Sequence, residues 1–443
     1  MLKRYTLPAM WALWGREETK FERWLDVELA FLKARAELGE IPASLPEEIR
    51  SAGSINVKRI EEIEEETQHD MIAFIKSVQE VLMGAGIEDY GELHKKLTSY
   101  NVEDPALMLM LRNAAELIIK ELMGLENALR TKAHENAWAL MIARTHVQFA
   151  EPSTFGHLLL VFAEAIRRSI RRLERVLEDD LSEGNMSGAV GTYAGINPEL
   201  EIRALAHLGL KPAFAETQIL QRDRHASFLC NLAIAAGSIQ QIATTFHELM
   251  RSEVHELEEP RRATQRGSST MPHKKNPILT ERMIGMARLV QACSHVALEN
   301  IATKEWRSIE QSAPERHIIP DATSLIHYMA NKMTGMVNRL VIFQDKMRTN
   351  LDVTSLGVWA GQPVRLVLMD AGVSYDDAYL YVQQCAFKAV EDNTHIMDIM
   401  AWYPINGRKI EELISKEKLK ECFNAEAYVK DGIEYIFSRA KTR

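Results

Sequence analysis

The chain has 443 residues, 46% of them hydrophobic, with 53 Lys and Arg against 62 Asp and Glu and a formal charge of −9. That content supplies a large core, while only 22 glycines and 14 prolines leave too few breakers for an all-β fold or a disordered chain. The acidic balance excludes a general basic field for nucleic acid or an anionic membrane, so an anionic ligand must be held by a local basic pocket.

In chain order, the opening MLKRYTLPAMWALWG sets two cations before a short apolar stretch. Pro8 and the lack of a small-residue cleavage site argue against a signal peptide. Up to residue 95 the helical segments are short, separated by Gly15, Pro42, Pro46, Gly53 and Gly84. The acidic run Glu61–Glu66 reads as a solvated helix face leading to His69. Residues 104–145 read as one long helix, with Pro105 at its start and Gly124 inside. Residues 156–183 set Leu158, Phe162, Ile166, Ile170, Leu173 and Leu177 at helical steps. Arg167, Arg168, Arg171 and Arg172 fall largely on the other side. They read as a solvated or ion-paired face, because no basic loop or interleaved aromatic accompanies them. Residues 223–258, 278–305 and 321–348 repeat the pattern, and no apolar run approaches the ~18 residues of a membrane span.

A 35-residue helix is about 50 Å long, so these segments predict an elongated helical bundle. After Asn350 the pattern restarts among Gly357, Gly361, Pro363, Gly372 and Pro404. The expectation is an all-α fold of three helical domains: 1–95, a central long-helix bundle 96–348 with the polar loop 260–277, and 349–443. Cys230, Cys293, Cys385 and Cys422 form no CxxC pair, which favours a reducing cytoplasm over a disulfide framework. No GxGxxG or GxxxxGK[ST] loop occurs, against a dinucleotide fold or a P-loop.

Polar interruptions between long helices are where chemistry can sit. Residues 260–277, PRRATQRGSSTMPHKKNP, combine Gly267, two serines, Lys274, Lys275 and a helix start at Pro277. They read equally as a surface linker or as an anion site. Residues 144–156, RTHVQFAEPSTFG, put Thr145 and His146 where a long helix ends. A lone His there is either a partner of the helix dipole or an acid–base group. Residues 307–321 hold Arg307, Ser312 and Arg316 in a short loop, suited to surface ion pairs or to a phosphate or carboxylate. Arg4-Tyr5, Gln68-His69-Asp70, Thr98-Ser99 and Gln218 within QILQRDRH are weak signals taken singly.

Together they are specific. GSSTMPHKKNP resembles the GSSxMPxKxNP signature of the fumarase/aspartase superfamily at every fixed position, and RTHVQFAEPSTFG is similar to its second conserved stretch. The Arg-Tyr, His-Asp, Thr-Ser, Gln-before-RDRH and SxxER strings resemble the adenylosuccinate lyases within it, from Arg4 to at least Arg316. The resemblance implies β-elimination of fumarate from two nucleotide substrates without metal or cofactor. It also implies a cytoplasmic homotetramer that shares its central bundle and builds each site from three subunits, with no nucleic acid or membrane partner. Ser268 is then the general base and His146 the general acid, with Lys274 and Asn276 on the succinyl carboxylates and the developing charge. His69 is a rival acid–base group, preferred as a phosphate ligand or an orienter of the acid, with Glu281 in the same network. Arg4, Tyr5, His69, Asp70, Arg307, Ser312 and Arg316 face phosphate and ribose, and Thr98, Ser99 and Gln218 surround the succinyl group. Gln68, Thr145, Ser269 and Arg282 complete the substrate-binding set. Other lyases of the superfamily, such as argininosuccinate lyase, are the alternative, but their substrates lack the phosphate that these arginines suit. A non-catalytic relative is the other alternative, and it predicts damage to the triplet of Ser268, His146 and Lys274, which is intact.

Overall fold

Sparse glycine and proline let helices run long. In the computed structural model, which describes residues 1–440, the principal helices are Ser99–Glu135, Phe155–Glu178, Asp223–Leu249, Ile278–Glu299 and Ser312–Asn338. The first of these, 37 residues, is ~55 Å long at 1.5 Å per residue. Among the described residues, strands occur only as three two-stranded pairs. The mainly helical expectation therefore holds.

The chain divides into two compact units. The first comprises Met1–Gly124, Ile166–Gln241 and Met283–Lys332. Its core follows the helical stripe: Met108, Leu111, Ala115, Ile118 and Leu122, at alternating three- and four-residue steps, are fully buried. Toward the N-terminus, Phe21 stacks on Phe74 at 6.0 Å, and Trp24 meets the two rings edge-on at 5.3 and 5.4 Å. These offset and edge contacts suit the ring quadrupoles.

The second unit comprises Leu125–Ala165, Ile242–Arg282 and the chain from Met333 onward. Phe155 and Phe162 pack on Phe246 at 6.2 and 6.1 Å. A second cluster joins Leu368, Tyr381, Cys385, Ile396 and Met400.

Three segments differ from the sequence expectation. Residues 140–154 are an antiparallel hairpin, Leu140–Thr145 against Gln148–Thr154, and the preceding helix stops at Glu135. The short run Leu140-Met141-Ile142 fits either period. Tertiary burial decides for strand, because Leu140 and Ile142 enter a cluster with Leu351, Trp359 and Ala425. Ser312 already begins a helix, so only the first part of 307–321 is loop. Pro314 lies in its first turn, where the missing N–H costs nothing. The third difference is that the segment read as helical over 223–258 stops at Leu249; this helix, Asp223–Leu249, has the length and mean hydropathy of a membrane span although it contains no uninterrupted apolar run of that length. Half of its apolar window is buried, with Phe228, Leu232 and Ile239 in the core, the pattern of a core helix.

Candidate active site

The polar loop of the second unit is closed at its base by two acidic residues. Glu258 takes the Lys275 ammonium at 2.8 Å. Glu259, 8% exposed, accepts the Thr280 N–H at 2.7 Å, the Leu279 N–H at 3.1 Å and the Thr280 hydroxyl at 3.1 Å. Glu259 thus satisfies helix-start donors that the sequence offered to a substrate anion, and it also complements the positive end of the helix dipole. Lys275 is spent on Glu258, whereas Lys274 is exposed and has no side-chain partner among the described residues.

Inside the loop, a Cβ on Gly267 would lie 2.0 Å from the Lys274 carbonyl oxygen, so only glycine lets the two limbs approach. Next to it the Ser268 Oγ accepts the Met271 N–H at 3.0 Å and the Thr270 N–H at 3.3 Å. Two backbone donors on one hydroxyl oxygen favour its deprotonated form. Ser269 is exposed and Asn276 half-buried. Glu281, on the following helix, faces His247 Nε2 at 3.7 Å, a residue that sequence reasoning did not single out. Arg282 is half-buried beside it.

Thr145 and His146 sit at the tip of the hairpin, where Thr145 pairs with Gln148 across a two-residue turn. His146 and Val147 both take positive φ, 51° and 62°. Such a turn matches the strand twist and normally uses Asn or Gly. A β-branched valine there is strained, and it is 89% exposed. Directly behind this turn, Arg144 reaches the fully buried Glu256 at 3.3 Å, and Asn350 donates to the same oxygen at 2.8 Å.

In the first unit, Asp70 and Arg316 meet at 2.8 Å, and Lys20 takes the same carboxylate oxygen at 3.1 Å. Burial opposes the charge on Asp70, but Lys20 and Arg316 hold its carboxyl below the usual range. His69 precedes Asp70 at the N-cap, its Nδ1 at 3.8 Å from the carboxylate. Gln68, in a left-handed cap conformation, turns back to the Glu65 carbonyl. Ser99 is buried and Thr98 half-buried at the head of the long helix. Gln218 donates to the Ala189 carbonyl at 2.9 Å, while its backbone N–H reaches the Trp306 carbonyl at 3.4 Å. Arg307 lies 4.7 Å from the Tyr100 ring centroid, and the Gln311 side chain donates to the Tyr100 hydroxyl at 3.3 Å, one residue before Ser312.

Arg222 ties these segments together. It is 1% exposed and reaches Asp104 at 2.9 and 3.1 Å, Glu315 at 2.9 and 3.4 Å and the Leu220 carbonyl at 2.7 Å. A cavity of about 370 Å³ opens against Lys20, Tyr100, Glu103, Arg222, Ser312 and Arg316. Burial, and secondarily Asp70, push the Glu103 carboxyl up to about 7. Lys20, Tyr100 and Glu103 carried no signal in the sequence, and Arg222 appeared only as part of a string.

Arg4 and Tyr5 are elsewhere in the first unit. They form a short turn, and the Tyr5 ring packs on Tyr328 at 5.6 Å. Ser312 and Tyr328 share one helix, which puts Tyr328 ~24 Å along the axis from Ser312. The residues matched to one nucleotide phosphate are therefore not gathered within this unit.

A family model described as Lyase matches residues 3–292. Over 439 residues, 99% of each chain, the sequence is 40% identical to adenylosuccinate lyase of Thermotoga maritima and 38% identical to that of Bacillus subtilis. The crystal structure of fumarate lyase from a Mesorhizobium species shares the fold, with a TM-score of 0.89 over 100% of both chains at 23% identity.

Proposed function

The chain belongs to the adenylosuccinate lyase family, and on that premise we propose that it cleaves adenylosuccinate to AMP and fumarate and makes the same cut in the succinylated carboxamide ribotide of purine synthesis. The observation that carries this reading is the match to adenylosuccinate lyases along 99% of the chain at 40% identity.

The reaction sets three tasks. A weakly acidic C–H beside a carboxylate must lose its proton, the resulting aci-carboxylate dianion must be stabilised, and the departing nitrogen must be protonated. Ser268 takes the first task. A serine hydroxyl is a weak base unless its oxyanion is stabilised, and the Thr270 and Met271 N–H groups on its oxygen supply that. Lys274, with no side-chain partner among the described residues, is the cation for the succinyl carboxylates and the dianion, with Asn276 as a neutral donor. Excluding water on closure strengthens these contacts. His146 protonates the leaving nitrogen, and Thr145 helps to hold it. Glu281 with His247 forms the polar network behind the loop.

Arg307, Ser312 and Arg316 take the nucleotide phosphate, with His69 and Asp70 beside them. Before binding, Arg316 is held by Asp70. When phosphate takes Arg316, Lys20 remains as the counter-charge of Asp70. Thr98, Ser99 and Gln218 surround the succinyl group, and Gln68, Ser269 and Arg282 flank the ligand. The 24 Å offset of Arg4-Tyr5 along one helix supports a site assembled from several copies, which a homotetramer sharing its long helices provides. The four cysteines are free thiols, consistent with a cytoplasmic enzyme.

Purified protein given adenylosuccinate should release AMP and fumarate in equal amounts, and argininosuccinate should be left intact. Cleavage of argininosuccinate with adenylosuccinate untouched would assign the chain to the other branch of the superfamily.

A further inference from the structure

Tyr100 has no role in the assignment above, yet side chains from two other segments converge on it. It is 4% exposed and lines the cavity beside Ser312 and Arg316. The Arg307 guanidinium lies 4.7 Å from its ring centroid and the Arg222 guanidinium 5.6 Å. The two cations are fixed very differently. Arg222 is locked by Asp104, Glu315 and the Leu220 carbonyl. Arg307 has no carboxylate partner among the described residues, so the ring is what orients it. At the other end of the side chain, the hydroxyl accepts the Gln311 side-chain N–H at 3.3 Å.

We propose that Tyr100 is a positioning residue of the substrate site, its ring aligning Arg307 and its hydroxyl fixing Gln311 just ahead of the helix that begins at Ser312. The proposal rests on the reading above that Arg307 and Ser312 bind the nucleotide end. The route of the effect is short. Asp104, one turn along the same helix as Tyr100, pins Arg222 and accepts the Leu220 N–H at 2.8 Å. Arg222 backs the ring, and the ring sets Arg307. A role in proton transfer does not fit, because burial, with Glu103 and Asp104, pushes the phenol up to about 12. The side chain stays neutral and acts through its shape and its hydrogen bonds.

The test compares Tyr100→Leu, Tyr100→Phe, Arg307→Ala and the double variant Tyr100→Leu/Arg307→Ala, each checked for assembly and melting temperature. Tyr100→Leu should raise KM for adenylosuccinate about tenfold while kcat stays within about twofold, as expected for lost ground-state alignment. Tyr100→Phe keeps the ring and should recover most of that loss. On the Arg307→Ala background, Tyr100→Leu should add little, because the two residues act as one unit. The hydroxyl is read separately from the coupling of Tyr100→Phe with Gln311→Ala, in which the Tyr100 change is the conservative one. If Arg307→Ala raises KM while Tyr100→Leu does not, or if both pairs prove additive, the proposal is wrong and the substrate assignment stands. If Arg307→Ala leaves KM unchanged, the assignment of Arg307 fails and the proposal fails with it.

Discussion

Ser268→Ala is expected to fold and assemble normally and to lose about 10²–10⁴-fold in kcat, the usual cost of a missing general base. The loop should survive the change. Ser268 is half-buried in an exposed segment, so water can take the Thr270 and Met271 N–H groups that its oxygen now accepts. The alanine variant lacks the oxygen assigned to remove the proton. His146→Asn is expected to cost as much by removing the acid. Asparagine is the better probe than alanine, because His146 holds a positive φ that Asn tolerates. Steady-state kinetics with circular dichroism as the folding control decide the point. Near-normal turnover in Ser268→Ala would move the base elsewhere, with His69 as the first alternative.

Arg222→Ala is expected to destabilise the protein by about 3–5 kcal/mol, because it leaves two buried acids without their cation. Asp104 and Glu315 are 1% and 7% exposed, and Arg222 is the side chain that bridges them. The loss depends on pH, and its sign follows from Glu315. Burial pushes its carboxyl up to about 7 against the pull of Arg222. Because the folded-state value is raised, Glu315 favours the fold fully when protonated. That contribution fades as pH rises from the ordinary carboxylate range toward 7. Without Arg222 the ionised form has still less support, so the variant should lose more at pH 8 than at pH 5.5. Arg222→Lys keeps the charge but not the fork, and should fall between wild type and Arg222→Ala. Denaturant unfolding at fixed protein concentration measures all three. A loss below about 1 kcal/mol, equal at both pH values, would mean that the cluster is not the clamp described.

The long helices were legible because their apolar stripes run for many turns at one period, as at Met108, Leu111, Ala115, Ile118 and Leu122. The hairpin was not, because Leu140–Ile142 is too short to show a period and its strand state is set by burial against Trp359 and Ala425. Motif strings marked the loop at 267–277, yet they could not show that Glu259 occupies the N–H groups of the helix start. Nor could they separate Lys275, held by Glu258, from Lys274, which has no side-chain partner among the described residues. Long-range pairs left no trace: Lys20 and Asp70 are joined only by folding. Tyr100 follows a recognisable Thr-Ser pair, but only the structure places it between two arginines.

The proposal of a site assembled from several copies is tested most directly on Ser268 and His146, which the three-subunit site implied by the family resemblance would draw from different copies of the chain. Ser268→Ala and His146→Asn proteins, each inactive, can be unfolded together in equal amounts and refolded as mixed tetramers, with mixing verified by native mass spectrometry. If the two residues come from different subunits, about one site in four pairs an intact Ser268 with an intact His146 under random assembly. Fumarate release from adenylosuccinate should then return to about a quarter of the wild-type rate. Mixed tetramers that remain inactive would place both residues in the same subunit and contradict the account.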